Sequence, residues 1–569
     1  MASPAPSERA ALKVFSIPEL AHFIYDIVRK RDYANLMQVC RRLFYSILPI
    51  LWEEVRRPDM LVSLIPGGGM VSYVSEGVRY TTMQLPGSLD LSRLSIYAPH
   101  VKRLILNRPS LYVDAYDGWD KFLACTRSVD LLPNLEAIYF PAPYPGVISV
   151  VVDINSVNWA IAFLSTSLQT LAEISFTDLN SVHHPHPIWL DLDPFNRVMT
   201  SIAHKSPRLC SLGVLPARVE FKLGYRRSVR EIKFAWDSPE VYSSFLKLGN
   251  LASLSISAVL LCPESLPIHF SLPRLESLSI FGEAIDHKVY CGRLHIPAKA
   301  FPALKHLQLN GLTWDTISSW CDAKPLITGF QSVEVMYPGD STHGSYPVET
   351  FEEFSKVMPF LATHSRITTL ALYDYQSEKL SPKVLNVWKS LPLVSLYLGW
   401  SATYGVNCDI LCSILSCLPL LENLLLDMSR PQRLEPKEMR KIVELLPRLR
   451  HIQIPVEWSG VAQLTEADLT PCQSQSTSLL CVRSNFFLRS QEAARPIARY
   501  LSILRPRAPV ICELFQDLVL LDLLYGETRA DDDERPRPSK LINAELARLW
   551  LKQHDWEQGK LFPSSQLNR

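Results

Sequence analysis

His183, His184 and His186 form the densest group of potential metal ligands in the chain, in a Pro-rich stretch that ends at Trp189. Two or three imidazoles can contribute to a divalent-metal site, but a closed site takes four ligands and no Cys lies nearby, so a solvated loop is expected. Gly67-Gly68-Gly69 lacks the Lys-Ser or Lys-Thr that a phosphate-binding loop needs, and reads as a flexible joint. The 12 Cys are scattered singly, without a C-x-x-C pair. Their closest group, Cys408, Cys412 and Cys417, stands among Leu and Ile, where thiols pack as small apolar groups, so reduced and buried thiols are expected. No G-x-S-x-G elbow, H-E-x-x-H helix or kinase-like set is present. The expectation is a non-catalytic protein with no cofactor and no metal, whose chemistry is association.

The elements that would present such a surface must be organised along a chain of 569 residues, too long for one globular core. Several domains or one repeat array are therefore expected. Lys plus Arg (58) nearly equals Asp plus Glu (57), which leaves no net field to attract nucleic acid or an anionic membrane. No run of about 18 apolar residues occurs, and Met1-Ala2-Ser3-Pro4 lacks the regions of a signal peptide, so cytoplasm, nucleus or both are expected. The 42 Pro against 21 Gly suit rigid connections better than hairpin turns.

From Ile17 the sequence divides into three short helical patterns. Ser16 can N-cap the first, with Pro18 and Glu19 suited to an early helical position. Leu20, Phe23, Ile24, Ile27 and Val28 give it one apolar face, and Arg29-Lys30-Arg31 closes it. Asp32 is the expected N-cap of the second helix, with apolar positions Leu36, Val39, Cys40 and Leu43. Pro49 is expected to interrupt the third, near Ile50, Leu51 and Trp52.

Beyond about residue 95 one phrase recurs: a polar or Pro position, Leu, two variable residues, Leu, one variable residue, an apolar residue. Clear copies start at Leu132, Leu272, Phe301, Leu418 and Leu446; looser ones start at Val101, Ser167, Ser206, Leu248, Gln331, Ser365 and Leu391. Their spacing of roughly 24 to 38 residues is near and above the period of leucine-rich repeats. In a short strand alternate residues face inward, so the Leu positions pack against neighbouring coils and the polar ones face out. The amphipathic segments at 351–358 and 438–446 read as returning helices, each ended by the Pro that follows. The turn-making Asn of such repeats is irregular, with Asn107 and Asn310 in suitable places. Residues 478–484 read as a last strand and 491–504 as a last return helix. Residues 528–540 are polar, charged and Pro-rich, and read as an exposed loop; 541–556 reads as an amphipathic helix that caps the final repeat or binds a partner.

The N-terminal pattern resembles an F-box, carried by Ile17-Pro18-Glu19-Leu20, Ile24, the basic turn, Leu36, Val39, Cys40-Arg41 and Trp52. With the repeats, and with Leu51-Trp52 and Leu64-Ile65-Pro66-Gly67, the chain resembles a large fungal family of F-box proteins with irregular leucine-rich repeats. That resemblance implies an α/β fold in which a three-helix F-box precedes a leucine-rich-repeat solenoid, a horseshoe with a parallel concave sheet and convex helices. The implied map is a disordered N-terminus at 1–15, an F-box at 16–57, a linker and first irregular repeat at 58–94, the solenoid at 95–510 and a C-terminal cap at 511–569. The implied partners are a Skp-type adaptor, through it a cullin, and an unknown target protein, making the chain the substrate-recognition subunit of a ubiquitin ligase. Adaptor-binding positions would be Ile17, Pro18, Leu20, Ile24, Leu36, Val39, Cys40 and Trp52, some of them facing the adaptor and some completing the bundle. Three other readings remain open: the N-terminal helices are a cap on the solenoid's first edge, the whole is a repeat scaffold outside any ligase, or an enzymatic site lies in an irregular insertion around 140–160 or 180–190, where the repeat phrase is weakest. Target contacts are expected from outward strand positions such as Glu136, Glu276, Ser277, Lys305, His306, Gln308 and Arg450.

Overall fold

The computed structural model describes residues 17, 30–75, 78–106, 113, 115–140, 152–173, 188–190, 192–216, 244–245, 247–257, 272–282, 300–312, 317, 320, 328–337, 361, 366–374, 391–400, 408–428, 433–472, 476–486, 491–514 and 538–553. Pro18, Leu20, Ile24, Asn107, the histidines at 183–186 and the segment 351–358 lie outside them. The chain divides into two compact units, Met1–Ser175 with Pro185–Ser255, and Phe176–His184 with Ile256–Arg569.

The first helices described in the first unit are α1 (Lys30–Val39) and α2 (Arg41–Trp52). Asp32 lies in the first turn of α1 instead of capping it, and Cys40, expected inside the helix, adopts an extended φ of −159° at the N-cap of α2. Helical spacing runs unbroken through 36, 39, 40 and 43, so periodicity alone could not find this corner. Pro49 sits inside α2 without ending it. Proline deletes a single backbone donor, and the helix continues to Trp52 across that gap.

Directly after α2 comes β1 (Glu54–Val55), the first strand of a parallel ladder that begins some 40 residues ahead of the expected start. The order runs from β1 to β4 (Arg103–Ile105), β6 (Ala137–Phe140), β7 (Thr170–Glu173), β9 (Ser211–Leu212) and β11 (Ser253–Ser257), while β8 (Ile188–Leu190) and β10 (Val214–Pro216) pair in parallel outside that order. Between β1 and β4 stand α3 (Pro58–Val62) and an antiparallel hairpin, β2 (Gly69–Ser75) with β3 (Val78–Gln84), joined in parallel by β5 (Ala115–Asp117). Gly67-Gly68-Gly69 is therefore a built turn and not a loose joint. Gly67 and Gly69 have φ of +81° and +136°, and a Cβ on Gly68 would stand 2.5 Å from the Val62 carbonyl oxygen.

The second unit carries β12 (Ser277–Phe281), β13 (His306–Asn310), β14 (Ser332–Tyr337), β15 (Thr369–Asp374), β16 (Ser395–Trp400), β17 (Asn423–Met428), β18 (His451–Gln453), β19 (Leu480–Ser484) and β20 (Val510–Leu514), each parallel to the next. The residues in register across it are Leu278, Leu307, Val333, Leu370, Leu396, Leu424, Ile452 and Val482, each 0 or 1 % exposed. Leu104, Ile138, Leu171, Leu212 and Leu254 form the same buried row in the first unit. The leucine phrase is thus a repeated strand whose apolar row is completed by its neighbours.

Two backbone devices recur with the phrase. The Leu135 N–H donates to the Leu132 carbonyl at 3.2 Å, and the same closure joins Leu209 to Ser206, Leu304 to Phe301, Leu421 to Leu418 and Leu449 to Leu446. Pro133, Pro207, Pro302, Pro419 and Pro447 occupy the second position of these turns, where their fixed φ is already suitable. The prolines therefore aim the chain into strands instead of ending helices: the helix Pro436–Leu445 stops two residues before Pro447. The carbonyl just ahead of a strand then accepts two N–H groups from the next coil, as Glu276 does from Lys305 (2.8 Å) and His306 (3.0 Å), and Glu422 from Arg450 (2.7 Å) and His451 (3.0 Å). At Asn310 the side-chain Oδ1 is buried with no hydrogen-bond partner among the described residues, and the turn is made by Gly311 at φ +65°.

Return helices among the described residues include α4 (Trp119–Thr126), α5 (Ile154–Phe163) and α6 (Leu192–Lys205) in the first unit, and α7 (Cys408–Leu415), α8 (Pro436–Leu445) and α9 (Ala494–Leu504) in the second. Asp153 caps α5 by accepting from the Asn155 and Ser156 N–H groups, and Glu435 with Glu438 forms a capping box on α8. The ladder does not finish at 484, since β20 follows α9. The C-terminal helix α10 (Pro538–Gln553) starts inside the segment expected to be loop. It closes the last strand through Asn543, whose amide accepts from the Cys512 N–H at 2.7 Å and donates to the Cys512 carbonyl at 2.9 Å. Ile542 and Leu546 are buried beneath it. Among the described residues this helix lies against β20 and α9.

Candidate interaction surfaces

In the N-terminal helices a small core gathers Tyr33, Leu43 and Ile47, with Leu36, Met37, Cys40, Ile50 and Leu51 packed around them. Leu36 and Cys40 are thus partly buried support. Val39 is 69 % exposed, and Tyr45, not among the expected positions, is 64 % exposed with its ring edge-on to Phe44. These are two large apolar groups left in water on the described part of the N-terminal helices, and each is a candidate contact for a partner. Ile17 is 45 % exposed at a bend. Among the described residues Trp52 lies outside this core and packs on Tyr97 at 4.5 Å between ring centroids, which fastens α2 to the residues leading into β4. Tyr45 was missed because its spacing matches no apolar face; an aromatic out of phase with the helix was the available signal.

The second surface is the outward side of the second unit's ladder. One row reads Ser277, His306, Ser332, Thr369, Ser395, Asn423, His451 and Cys481; the next reads Ser279, Gln308, Glu334, Ala371, Tyr397, Leu425, Gln453, Arg483 and Glu513. Hydrogen bonds run across the strands, from Ser279 Oγ to Gln308 Oε1 at 2.6 Å and from Asn423 Nδ2 to Ser395 Oγ at 2.8 Å, and Arg483 pairs with Glu513. Of the expected contact residues, Glu136, Glu276 and Arg450 are exposed, and Lys305 and His306 are half-buried. Ser277 and Gln308 are 3 % and 5 % exposed, which removes them as free contact points. Neighbouring strands lie only about 4.8 Å apart, so a short outward side chain is walled in by those on either side. Glu276 and Lys305 are ion-paired at 2.9 Å, and Glu422 and Arg450 at 3.3 Å, along the edge where strands begin.

The chemistry of this surface is muted. Burial, then the nearby Glu513 carboxylate, pushes the Cys481 thiol up to about 12, and burial pushes Cys408 and Cys472 up to about 12 as well. Burial also holds His451 below its ordinary value. Cys408 and Cys412 lie 3.7 Å apart, sulfur to sulfur, as free thiols. A rise from 9 to about 12 lowers the thiolate fraction on the order of a thousandfold at pH 8. Cys408, Cys472 and Cys481 are therefore expected to resist iodoacetamide in the native protein and to react at least about tenfold faster after denaturation, read by peptide mass spectrometry. Rapid native labelling of Cys481 would contradict this environment. Among the described residues no three His, Cys, Asp or Glu side chains converge as metal ligands, and no helix is long and apolar enough to cross a membrane.

No family model matches the chain, and no curated protein does. Among solved structures it is similar to the leucine-rich repeat-containing protein LegL7 from Legionella pneumophila, at 14 % identity over 52 % of this chain and 96 % of that one, with a TM-score of 0.34. It is also similar to TLR13 in a TLR13–ssRNA13 complex, at 13 % identity over 74 % of this chain and 51 % of that one, with a TM-score of 0.33. Likenesses this distant bear on neither partner nor activity, and the repeat architecture rests on the in-register leucine rows themselves.

Proposed function

We propose that the protein is the substrate-recognition subunit of a Skp/cullin/F-box ubiquitin ligase. Its N-terminal helices dock a Skp-type adaptor, which brings a cullin, and the outward face of its ladder binds a target protein. The observation that carries this reading is the pair of solvent-exposed apolar side chains, Val39 and Tyr45, on two short helices joined directly to the first strand at Glu54. Helices for one partner and a repeat ladder for another, carried on one chain, bring the two partners together. The protein supplies proximity and no bond chemistry. The outward rows mix Glu, Arg, His, Tyr and amides, which suits recognition of another protein. Free thiols at all described cysteines fit a reducing compartment, cytoplasm or nucleus.

The test is direct binding of the purified full chain to a Skp-type adaptor. The chain should bind, and a Val39→Asp, Tyr45→Asp variant should lose at least about tenfold in affinity with its thermal unfolding unchanged, because both side chains already lie in water. A Pro18→Ala, Leu20→Asp, Ile24→Asp variant should lose binding as well. Absence of binding by the native chain at high adaptor concentration would defeat the ligase reading and leave a repeat scaffold.

A further inference from the structure

The hairpin β2–β3 does not belong to the leucine ladder. Its sheet is ordered β2-β3-β5, and β5 pairs only with Thr82–Gln84, so among the described residues the far half of the hairpin is a two-stranded ribbon with β2 as its open edge. Both faces of β2 are wet and apolar. Met70 and Val74, on one face, are 36 % and 71 % exposed; Val71 and Tyr73, on the other, are 42 % and 51 % exposed. The strand Gly69–Ser75 contains no charge and no Pro, the two devices that usually protect a free edge. A two-stranded ribbon with this composition is marginal alone and gains from further strands.

We infer that β2 is a self-association edge, and that its occupant is β2 of a second copy of this chain, paired antiparallel about Ser72. The register argues for a copy over an unrelated strand. A two-fold axis at Ser72 sets Met70 opposite Val74 of the other copy and Val71 opposite Tyr73, so every large side chain meets an apolar one and no like charges oppose. Backbone polarity agrees. The hairpin closes with Ser75 opposite Val78 across two residues, a geometry in which the closing pair exchanges both backbone hydrogen bonds. Alternation then turns the N–H and C=O of Met70, Ser72 and Val74 away from β3, toward the open edge. The contact of Ser72 Oγ with Thr81 Oγ1 at 3.2 Å fits the close side-chain approach of a pair that is not backbone-bonded. The product is a four-stranded sheet, β3-β2-β2-β3. One strand pair makes an interface of the transient class, below about 1,200 Å², so the dimer forms at micromolar concentration.

Sedimentation equilibrium of the full chain from about 1 to 100 μM reads this directly. A monomer–dimer equilibrium is expected in that range, weakened at least about tenfold by Val74→Lys, which changes an exposed side chain and sets two lysines beside the pairing seam. A Ser72→Cys variant should form a disulfide between the two copies under mild oxidation, since directly opposed strand residues have Cα atoms about 5.5 Å apart, within disulfide reach. The same change at exposed Ser88 should not. A chain that stays monomeric at 100 μM, or a dimer insensitive to Val74→Lys and lacking the Ser72→Cys cross-link, overturns the assignment; in the monomeric case an extended peptide would remain as the occupant to test.

Discussion

Leu424→Ala is expected to destabilise the second unit by about 3 kcal/mol, within the range measured for leucine deletions in close-packed cores. Leu424 is fully buried and stands in register between Leu396 and Ile452, themselves buried, so shortening it opens a cavity in a row that every coil shares. The neighbouring Leu425 faces the opposite side and is half-buried. Leu425→Ala should therefore cost less than about 1 kcal/mol. Hydrogen exchange of peptides spanning 391–428, with urea unfolding of the full chain, distinguishes them. In a nearest-neighbour repeat the loss should appear first in the strands flanking β17. Equal effects of the two substitutions would mean that the inward and outward rows are wrongly assigned.

Gly282→Ala carries the second large effect. A Cβ on Gly282 would stand 2.3 Å from the Gly311 carbonyl oxygen and 2.7 Å from Leu312 Cδ2. The backbone cannot withdraw freely there, because the Gly282 N–H donates to the Asn310 carbonyl at 2.7 Å. Separating the two coils should cost about 2–3 kcal/mol, the usual magnitude when a packed site is overfilled. Gly249→Ala, with nothing within 4 Å of its Cβ and an ordinary φ, should be neutral or stabilising by a few tenths of a kcal/mol. Thermal unfolding of both variants provides the check, and a neutral Gly282→Ala would show that this approach of the coils is not tight.

Much of the ladder was legible from sequence because its signal is local and repeated. Leu132-Pro133-Asn134-Leu135 encodes a turn, an inward Leu and the entry to a strand within a few residues, and each copy supports the next. The hairpin was legible in principle: Val71-Ser72-Tyr73-Val74 and Val78-Arg79-Tyr80-Thr81 flank Glu76-Gly77, but the preceding glycine run is equally compatible with a flexible joint. The break at Cys40 could not be read, since an extended residue between two helices leaves their combined apolar spacing intact. The same holds for Ser277 and Gln308. Period-two alternation places them outward, while their exposure depends on side chains contributed by strands some 30 residues away.

The amino-acid order by itself determined the repeated inward leucine, the prolines that aim each strand and the helical hook at the N-terminus, because these follow from φ restriction and side-chain periodicity over a few residues. The tertiary structure decided which outward residues reach water, that Trp52 packs on Tyr97, that Asn543 bonds to β20, and that β2 has an open edge among the described residues. Exposure and edge closure are properties of neighbours, and in a stacked ladder those neighbours come from other coils.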